Sequence, residues 1–340
     1  MTKIPVLVTG GAGYIGSHAV LALVDRGWPV AVLDDLSTGF RWAVPDGVPF
    51  YQGDVADGAL VKRIFDEQGI GAIMHFAGSI VVPESVENPL KYYDNNTGKS
   101  RNLIASAVEA GIPHFIFSST ASVYGEAEAK PLSEDVPIAP FNPYAMSKAM
   151  TERVLADTAK AHDMNYCVLR YFNVAGADPA ARSGQSGVGS THLIKVALEA
   201  ALGKRKEVAV FGLDYPTRDG TGIRDYIHVS DLAAAHVHAL EALIAEPARN
   251  LTMNVGYARG FSVLEVLDAV DRVVGTPVPR RMEGRRAGDV SALLADNSKL
   301  LATTPWQPAF DDLEQIITDA LRWETKLQAM RDAERERENA

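Results

Sequence analysis

Short apolar runs alternate with amphipathic segments through the first half of the chain. The runs are rich in Val, Ile, Leu and Phe, which favours buried β-strands. They predict strands at residues 4–10, 29–35, 49–55, 71–78, 114–120 and 165–174. In the segments between them, apolar residues recur with a helical period. These segments predict helices at residues 14–27, 58–69, 89–111 and 142–163.

The repeated alternation of strand and helix predicts an α/β fold. Consecutive parallel strands need a long crossover connection, and a helix is the usual one. We therefore expect a doubly wound parallel sheet with helices on both faces. After about residue 175 the texture changes, and residues 176–190, which are rich in Gly, Ser and Ala, predict a loop.

The composition is that of an ordinary globular protein, with 47% hydrophobic and 22% charged residues in a chain of 340. A formal net charge of −10 argues against a nucleic-acid partner, because phosphate backbones are polyanions. The sequence has no apolar run near the ~20 residues that cross a membrane, and its first run is too short for a signal peptide. We expect a cytoplasmic protein without a membrane partner. The lone cysteine, Cys167, lies in a predicted strand and is expected to be a core residue.

A glycine-rich turn joins the first predicted strand to the first predicted helix. Gly10, Gly13 and Gly16 fit the spacing GxxGxxG, and Gly11 with the last two fits GxGxxG. Glycines at these places allow a tight turn, the approach of a pyrophosphate to the backbone, and close packing of helix on strand. Asp34 follows Gly16 by 18 residues, near the ~20 expected of a carboxylate that binds the adenosine ribose. The turn predicts a dinucleotide site, and the carboxylate favours NAD over NADP.

Two further strand ends lie on the edge where doubly wound sheets bind ligands. Asp54 and Val55 follow one strand, and Phe76, Ala77 and Gly78 follow another. We expect both strand ends to contact the dinucleotide.

These signals divide the chain into three parts. We expect a Rossmann NAD-binding domain at residues 1–175, with strand and helix contributions from about 224–256. Residues 176–330 are expected to form a smaller mixed α/β substrate-binding region. Residues 331–340 are a charged tail, which we expect to be a solvated helix end.

Tyr144 precedes Lys148 by four residues, which puts both side chains on one face of a helix. Asn142 and Pro143 are typical of a helix N-cap and first turn. A nearby ammonium group is expected to lower the pKa of the phenol, and a cationic nicotinamide ring would lower it further. The phenol would then act as a general base near neutral pH. Thr120, at a strand end, adds a hydroxyl that could hold a substrate hydroxyl or pass a proton.

Together these features resemble the short-chain dehydrogenase/reductase superfamily in its extended form. Within it, seven stretches in order resemble the family of UDP-glucose 4-epimerases (UDP-galactose 4-epimerases). The stretches are VTGGAGYIGSH, HFAG, PLKYYDNN, FSSTASVYG, LRYFNVAGA, AVFGLDYPTRDGTGIRDYIHVSDLA and RRAGD. The resemblance covers about residues 3–325, and the run at 209–233 is its most specific part.

The resemblance implies an NAD-dependent isomerase of galactose metabolism that converts UDP-galactose to UDP-glucose by inverting carbon 4. Tyr144 would take the proton of the 4-hydroxyl, assisted by Lys148 and Thr120, while hydride leaves carbon 4 for the nicotinamide. The transient 4-keto sugar would then turn over in the pocket, and hydride would return to its other face.

The resemblance also implies contacts residue by residue. Guanidinium groups suit the pyrophosphate of UDP because they donate paired hydrogen bonds. The substrate contacts it implies are Thr120, Tyr144, Asn173, His192, Leu193, Phe211 near the uracil, Arg224, Arg286, Asp289 and Leu293. The cofactor contacts it implies are Gly10, Gly13, Tyr14, Ile15, Gly16, Asp34, Asp35, Asp54, Val55, Phe76, Ala77, Gly78, Asn95, Ser118, Tyr144, Lys148 and Phe172.

Four positions depart from the usual pattern of the family. Ile80 stands where a lysine often contacts the cofactor. His192 and Asp35 each stand where asparagine is common. Leu293 occupies the position whose bulk is linked to tolerance of N-acetylated sugars, and a leucine leaves that tolerance open.

Several alternative functions use the same scaffold. A UDP-pentose or UDP-N-acetylhexosamine 4-epimerase would need the same catalytic residues, so both stay open. A sugar-nucleotide 4,6-dehydratase needs an acid pair just after the strand-end threonine, and Ala121 and Ser122 cannot supply it. A non-catalytic NAD-sensing regulator tends to lack the tyrosine–lysine pair, which is intact here.

Three histidines, His228, His236 and His238, raise the question of a metal site. Residues 236 and 238 face different ways on a helix, and no cysteine or carboxylate spacing completes a ligand set, so we expect no metal. The family resemblance further implies a homodimer built from two long helices per subunit, at residues 89–110 and 142–162.

Overall fold

The apolar runs form strands, as their composition predicts. The computed structural model describes residues 3–126, 130–187, 189–286 and 289–338. Its strands are β1 (Val6–Thr9), β2 (Val30–Asp34), β3 (Phe50–Gln52), β4 (Ala72–His75), β5 (His114–Thr120), β6 (Pro131–Leu132), β7 (Asn165–Tyr171), β8 (Asn173–Ala175), β9 (Val208–Phe211), β10 (Ile223–His228), β11 (Leu251–Val255), β12 (Gly260–Ser262), β13 (Arg280–Glu283) and β14 (Ala292–Ala295).

The amphipathic segments form helices. They are α1 (Tyr14–Asp25), α2 (Gly58–Gln68), α3 (Val82–Glu87), α4 (Pro89–Tyr92), α5 (Lys99–Glu109), α6 (Pro143–Ala161), α7 (Leu193–Ala201), α8 (Val229–Ala245), α9 (Val263–Val274), α10 (Ser298–Thr303) and α11 (Leu313–Glu338). Short 3₁₀ turns occur at Arg41–Ala43 and Ala121–Tyr124. In the described part of the chain, no helix is both long and apolar enough to cross a bilayer.

The central sheet has seven strands in the order β11-β7-β5-β4-β1-β2-β3, and every neighbouring pair is parallel. Side chains alternate along each strand, so Val6 and Val8 join one core while Leu7 joins the other. The first core also holds side chains of α1 and α8, and the second holds side chains of α2, α5 and α6. The predicted doubly wound parallel sheet is confirmed, and the strand order reverses between β1 and β4.

A second, smaller sheet carries the later strands in the order β12-β10-β14-β6, with β8 also paired to β10. The pairing of β10 with β12 is antiparallel, whereas its pairings with β14 and β8 are parallel. β9 and β13 form a separate parallel pair. A cluster of buried side chains from α7, α9 and α11 packs beside these strands.

Two predicted elements differ in detail from the structure. The run at 165–174 does not form one strand. The strand is interrupted at Phe172, and the segments before and after this residue, β7 and β8, join different sheets. Phe172 turns instead into a buried cluster with Tyr124 and Leu132. The predicted long helix at 89–111 is present but contains a π-helical stretch at Tyr93–Gly98, a feature that often marks a functional site.

The charged tail continues helix α11, which is described to Glu338. Its last two residues, 339–340, lie outside the described residues, as do residues 287–288 of the RRAGD stretch. Along the earlier part of α11, Ile316, Ile317 and Trp323 are buried. The helix therefore packs on the C-terminal region at one end and reaches solvent at the other.

Three buried histidines are held neutral by the fold. His75 bridges the hydroxyls of Thr9 and Ser100 at 2.6 and 2.7 Å. Burial lowers the pKa of His75 to about 3, and it lowers the pKa of His18 and of His236 to about 4. Each imidazolium is disfavoured because its charge would be removed from water without a compensating partner.

These histidines predict a loss of stability in mild acid. In the unfolded chain they take up protons near their ordinary pKa of 6.5, whereas the folded protein does not until about pH 4 or below. The free energy of unfolding should therefore fall as the pH drops from about 6.5 towards 4. Each ring should contribute up to ~1.4 kcal/mol for each pH unit in that range. Urea unfolding at a series of pH values measures this slope.

The variant His236→Phe should make the slope shallower, because one proton-binding ring is removed while the contacts with Phe76 and Tyr171 keep an aromatic group. The exposed His162 offers a matched control, and His162→Gln should leave the slope unchanged. Equal slopes for wild type and His236→Phe would contradict this account of the buried rings.

Candidate active site

The glycine turn is packed too tightly for any side chain. A Cβ atom on Gly16 would lie 2.1 Å from the carbonyl oxygen of Gly10, and one on Gly10 would lie 2.6 Å from the nitrogen of Ala77. Gly10 also has a φ of +70°, which L side chains rarely adopt. Gly13 is the N-cap of α1, so no side chain covers the first amides of the helix. This helix end fits a pyrophosphate, since its N–H groups and dipole face the strand-order reversal.

Asp34 closes the turn from the end of β2. Its two carboxylate oxygens accept the backbone N–H groups of Ala12 and Leu36 at 2.9 and 2.8 Å. Burial raises its pKa, and these two hydrogen bonds oppose the rise. The carboxylate is thereby fixed with lone pairs left for ribose hydroxyls. Asp35 is exposed and accepts hydrogen bonds from the amide and hydroxyl of Ser37, and its contact with the cofactor stays a prediction.

The other predicted cofactor residues line the same edge of the sheet. Asp54 bonds the ammonium group of Lys99 at 2.6 Å, and Val55 is buried beside it. The ring of Phe76 lies 4.7 Å from that of His236. Tyr14 extends from α1 to donate a hydrogen bond to the carbonyl oxygen of Gly176, which ties the glycine turn to the later region.

Tyr144 enters the site from the first turn of α6. The side chain of Asn142 accepts the N–H of Ala145 at 2.9 Å, and Pro143 follows the cap, as predicted. Tyr144 is buried and its hydroxyl meets that of Thr120, at the end of β5. The helix cap and the strand end therefore bring together the base and the hydroxyl that the sequence predicts.

Lys148 lies one turn further along α6 and is fully enclosed. Its ammonium group donates a hydrogen bond to the carbonyl oxygen of Ser118 at 3.1 Å and lies 5.0 Å from the ring centre of Phe117. Burial lowers the pKa of Lys148 to about 8, and the carboxylate of Glu152 opposes the fall. Lys148 is therefore mostly cationic at neutral pH, since its pKa lies only about one unit above 7.

One prediction about Tyr144 needs correction. The ammonium group of Lys148 was expected to lower the pKa of the phenol, yet burial raises the pKa of Tyr144 above 10.0, and only the hydrogen bond with Thr120 opposes the rise. The reason is that desolvation penalises the phenolate, while the lysine is directed at the Ser118 carbonyl oxygen. The protein alone keeps this tyrosine protonated, so a further positive charge is needed before it can act as a base.

The predicted substrate residues form two groups. At the ends of β9 and β13, the guanidinium of Arg286 lies 5.4 Å from the ring centre of Phe211 and pairs with Asp289 at 3.0 Å. In the smaller sheet, Arg224 of β10 is the register partner of Leu293 of β14.

Other predicted contacts lie around these groups. Phe172 and Leu293 share one apolar cluster, although they were assigned to cofactor and to substrate respectively. Asn173 is exposed on β8, where it pairs with Tyr226 of β10. His192 and Leu193 stand at the start of α7, and His192 contacts the side-chain amide of Gln185.

Two further predicted cofactor contacts form hydrogen bonds between side chains. Asn95 donates a hydrogen bond to the hydroxyl of Ser79, and Ser118 bonds the hydroxyl of Tyr171 at 2.5 Å. Ile80 is 58% exposed, so the position where the family often has a lysine faces solvent.

The histidines that raised the question of a metal have other partners. His228 caps α8 by accepting the N–H of Ser230, and His238 bonds Glu241 at 2.9 Å. Across the described ranges, no group of three His, Cys, Asp or Glu side chains is placed to hold a metal ion.

Comparison with known proteins decides the family. The family model for the "NAD dependent epimerase/dehydratase family" matches residues 6–256. The UDP-glucose 4-epimerase of Azospirillum brasilense is 52% identical over 323 residues, which are 95% of this chain and 92% of that protein. The chain belongs to the UDP-glucose 4-epimerase family.

Solved structures agree with this family. The UDP-glucose 4-epimerase from Brucella ovis in complex with NAD superposes with a TM-score of 0.91 at 41% identity, covering 94% of this chain and 98% of that one. The UDP-Glc/GlcNAc 4-epimerase from Campylobacter jejuni has a TM-score of 0.84 at 46% identity, covering 95% and 100%. The predictions of the UDP-glucose 4-epimerase family, of an enzyme and of NAD as cofactor are confirmed.

The sequence analysis did not identify two polar residues that bond to predicted site residues or their neighbours. Lys99 pairs with Asp54, and its place one turn after Asn95 was a usable signal. Asn96 is buried, accepts the N–H of Ser79 and donates to the hydroxyl of Ser147 between Tyr144 and Lys148. No sequence pattern indicates which of the two adjacent asparagines faces inward, because the π-helical stretch shifts the helical phase.

Proposed function

We propose that this chain interconverts UDP-galactose and UDP-glucose by inverting carbon 4 of the sugar. The observation that carries the proposal is the enclosed set of Tyr144, Thr120 and Lys148 at the edge of a sheet whose glycine turn fits NAD. NAD, when bound, supplies an acceptor that takes a hydride and returns it. The protein must then transfer the proton, bind the UDP moiety firmly, and leave the sugar free to rotate.

Proton transfer is assigned to the tyrosine. The hydroxyl of Thr120 holds the 4-hydroxyl of the sugar against Tyr144, which accepts its proton as carbon 4 becomes a ketone. The buried phenol must first release its own proton to solvent, which the positive charge of bound NAD⁺ together with that of Lys148, one helical turn away, would favour. When hydride returns to the other face of the ketone, Tyr144 gives the proton back, so neither atoms nor charge accumulate.

Firm binding of the substrate is assigned to residues that contact its UDP moiety. Arg286 and Arg224 suit the pyrophosphate, and the exposed ring of Phe211 suits a stacked uracil. Asp289 pairs with Arg286 and holds that guanidinium in place. A firm hold on UDP, with few contacts to the hexose, allows the keto sugar to rotate between the two hydride transfers.

A few residues bear on the alternative reactions. Ala121 and Ser122 follow Thr120 in a 3₁₀ turn and offer no carboxylic acid, which disfavours a 4,6-dehydratase. Leu293 is partly buried on β14 beside Arg224, and a leucine at this position leaves the tolerance for other sugars open. N-acetylated and pentose UDP-sugars are therefore candidate substrates to compare with UDP-galactose.

The domain division stays part of the proposal. We assign residues 1–175, with a contribution from 224–256, to the NAD-binding domain, which is supported by β11 at the edge of the central sheet. β6 and β8 pair within the smaller sheet, so the assigned boundary is crossed by two short strands. A cytoplasmic location likewise stays a prediction.

A homodimer is also part of the proposal. Leu90 of α4 is 78% exposed, and Met146 and Met150 of α6 are 37% and 43% exposed. α4 and α6 are neighbours, and their helices carry the segments from which a dimer was predicted. Apolar side chains grouped on paired helices fit a second copy of the same surface, which symmetry would cover in both subunits.

The variant Tyr144→Phe should cut kcat at least ~100-fold, because the general base is lost. Purified wild-type protein should convert UDP-galactose to UDP-glucose without added cofactor, and NMR of the product should show inversion at carbon 4 only. The NAD content released by denaturation should be the same in variant and wild type.

The matched control is Tyr51→Phe, which removes the same hydroxyl from a partly buried tyrosine of the far strand β3, where that hydroxyl bonds Glu67. It should leave kcat unchanged. A Tyr144→Phe variant with wild-type turnover would remove Tyr144 from the mechanism, and a 6-deoxy-4-keto product would replace epimerisation with dehydration.

The double variant Leu90→Glu/Met150→Glu should convert the protein to a monomer in sedimentation velocity, because two charges would enter the proposed interface. The control is Leu301→Glu on α10, where the leucine is 40% exposed, close to the 43% of Met150, and it should leave the sedimentation coefficient unchanged. A wild-type protein that sediments as a monomer at micromolar concentration would rule out the proposed dimer.

A further inference from the structure

Three polar side chains lie side by side inside the central sheet, one residue below its ligand-binding edge. Ser119 of β5, Arg170 of β7 and Asn254 of β11 are register partners on adjacent strands. All three are buried, with exposures of 0%, 5% and 0%. Such a row is costly in a parallel sheet, whose strands are normally apolar on both faces.

Helix α6 adds a carboxylate to this row. Glu152 accepts hydrogen bonds from Nη2 and Nε of Arg170 at 2.6 and 3.1 Å, and another from the hydroxyl of Ser119. The Glu152 and Arg170 side chains are 7% and 6% exposed. This is a fully enclosed ion pair with fork geometry, not a surface contact.

The remaining donors and acceptors are satisfied by the chain that follows Thr120. Nη1 of Arg170 donates to the hydroxyl of Tyr124 at 3.1 Å, and that hydroxyl donates to the side chain of Asn254 at 2.6 Å. Asn254 in turn donates to the carbonyl oxygen of Leu132. The network thus joins β5, β7, β11, helix α6 and the turn after β5 into one hydrogen-bonded unit.

The network borders the reacting groups. Thr120 is the residue after Ser119 in β5, and Glu152 follows Lys148 by one turn on α6. The carboxylate of Glu152 is the charge that opposes the desolvation of Lys148. His75 of β4 also faces Lys148, and burial keeps its pKa far below neutral, so it adds no charge there. Tyr171 of β7 faces Tyr144, and burial keeps it protonated as well.

Stability does not explain why an ion pair is buried here. Removing two charges from water costs several kcal/mol, and apolar replacements of buried pairs are often neutral or stabilising. A pair next to a buried lysine can act on the charge of that lysine, because its field is strong at short range in a region of low dielectric.

We propose that Glu152, held in place by Arg170, is a positioning residue that keeps Lys148 charged beside Tyr144 and fixes the strand end that carries Thr120. The inference rests on the proposed function of the site, but it concerns the charge on Lys148, which can be observed without turnover. Arg170 orients the carboxylate and balances its charge, so the two members of the pair act on Lys148 with opposite sign.

The test is a direct titration of Lys148. The ¹³Cε signal of labelled lysine is followed against pH in purified protein, and the Lys148→Arg variant assigns the signal. In Glu152→Gln the midpoint should fall by about one pH unit or more, because a carboxylate one turn away is neutralised. In Arg170→Met the midpoint should rise, since the carboxylate remains and its counter-charge is gone.

The double variant Glu152→Gln/Arg170→Met keeps the test decisive if a single variant fails to fold, because it leaves no unpaired buried charge. Its midpoint should lie below wild type by less than in Glu152→Gln. The control is Glu324→Gln, which removes a carboxylate that is equally buried and paired with Lys195 and Lys204 on a different helix. It should leave the Lys148 midpoint unchanged.

Activity provides the second readout. The alkaline limb of the kcat profile should move to lower pH in Glu152→Gln and to higher pH in Arg170→Met, while a merely structural role would lower kcat in both without opposite shifts. Midpoints of Lys148 that stay at the wild-type value in the single and double variants would overturn the inference. Wild-type protein without epimerase turnover, but with the expected midpoints, would instead overturn the proposed function alone.

Discussion

The burial of one phenol governs the chemistry of this protein. Tyr144 is enclosed between helix α6 and the end of β5, and enclosure raises its pKa because a phenolate loses its hydration. Lys148 is enclosed too, and its own pKa falls to about 8. The pair therefore rests with tyrosine protonated and lysine charged, and a further cation near the phenol is what allows its proton to leave. If Tyr144 is the base, as proposed, it should act only when the cofactor is in place.

The fold supplies the surroundings that this constraint needs. Parallel strands end together at one edge, so the glycine turn, Asp34 and the Thr120 hydroxyl converge although they are distant in sequence. Helix α6 is fixed by its Asn142 cap and by hydrogen bonds to the π-helical stretch before α5. Arg224 of the second sheet and Arg286, which follows β13, are the arginines proposed to hold the nucleotide. Helix α6 and strand β5 hold the proposed proton-transfer groups, whereas other elements carry the proposed substrate-binding residues.

The sequence predicted the parts of this arrangement that depend on local pattern. Strand and helix alternation determines a doubly wound sheet, and the glycine spacing and the Tyr144–Lys148 interval locate the cofactor edge and the base. It did not predict the break at Phe172, since a continuous apolar run gives no sign of a change of sheet. The predicted direction of the Tyr144 pKa shift was wrong, because burial, which raises the pKa, depends on packing and not on spacing. The stacking of Arg286 on Phe211 depends on pairing between β9 and β13, which are far apart in the chain.

The most direct measurement is the ionisation of Tyr144 with and without cofactor. The ¹³Cζ signal of labelled tyrosine, assigned with Tyr144→Phe, is followed against pH in cofactor-free protein and in protein loaded with NAD⁺. We expect the pKa of the cofactor-free phenol to lie above that of an ordinary tyrosine, because burial raises it, and we expect NAD⁺ to lower it. Identical titration curves in the two forms would contradict this account.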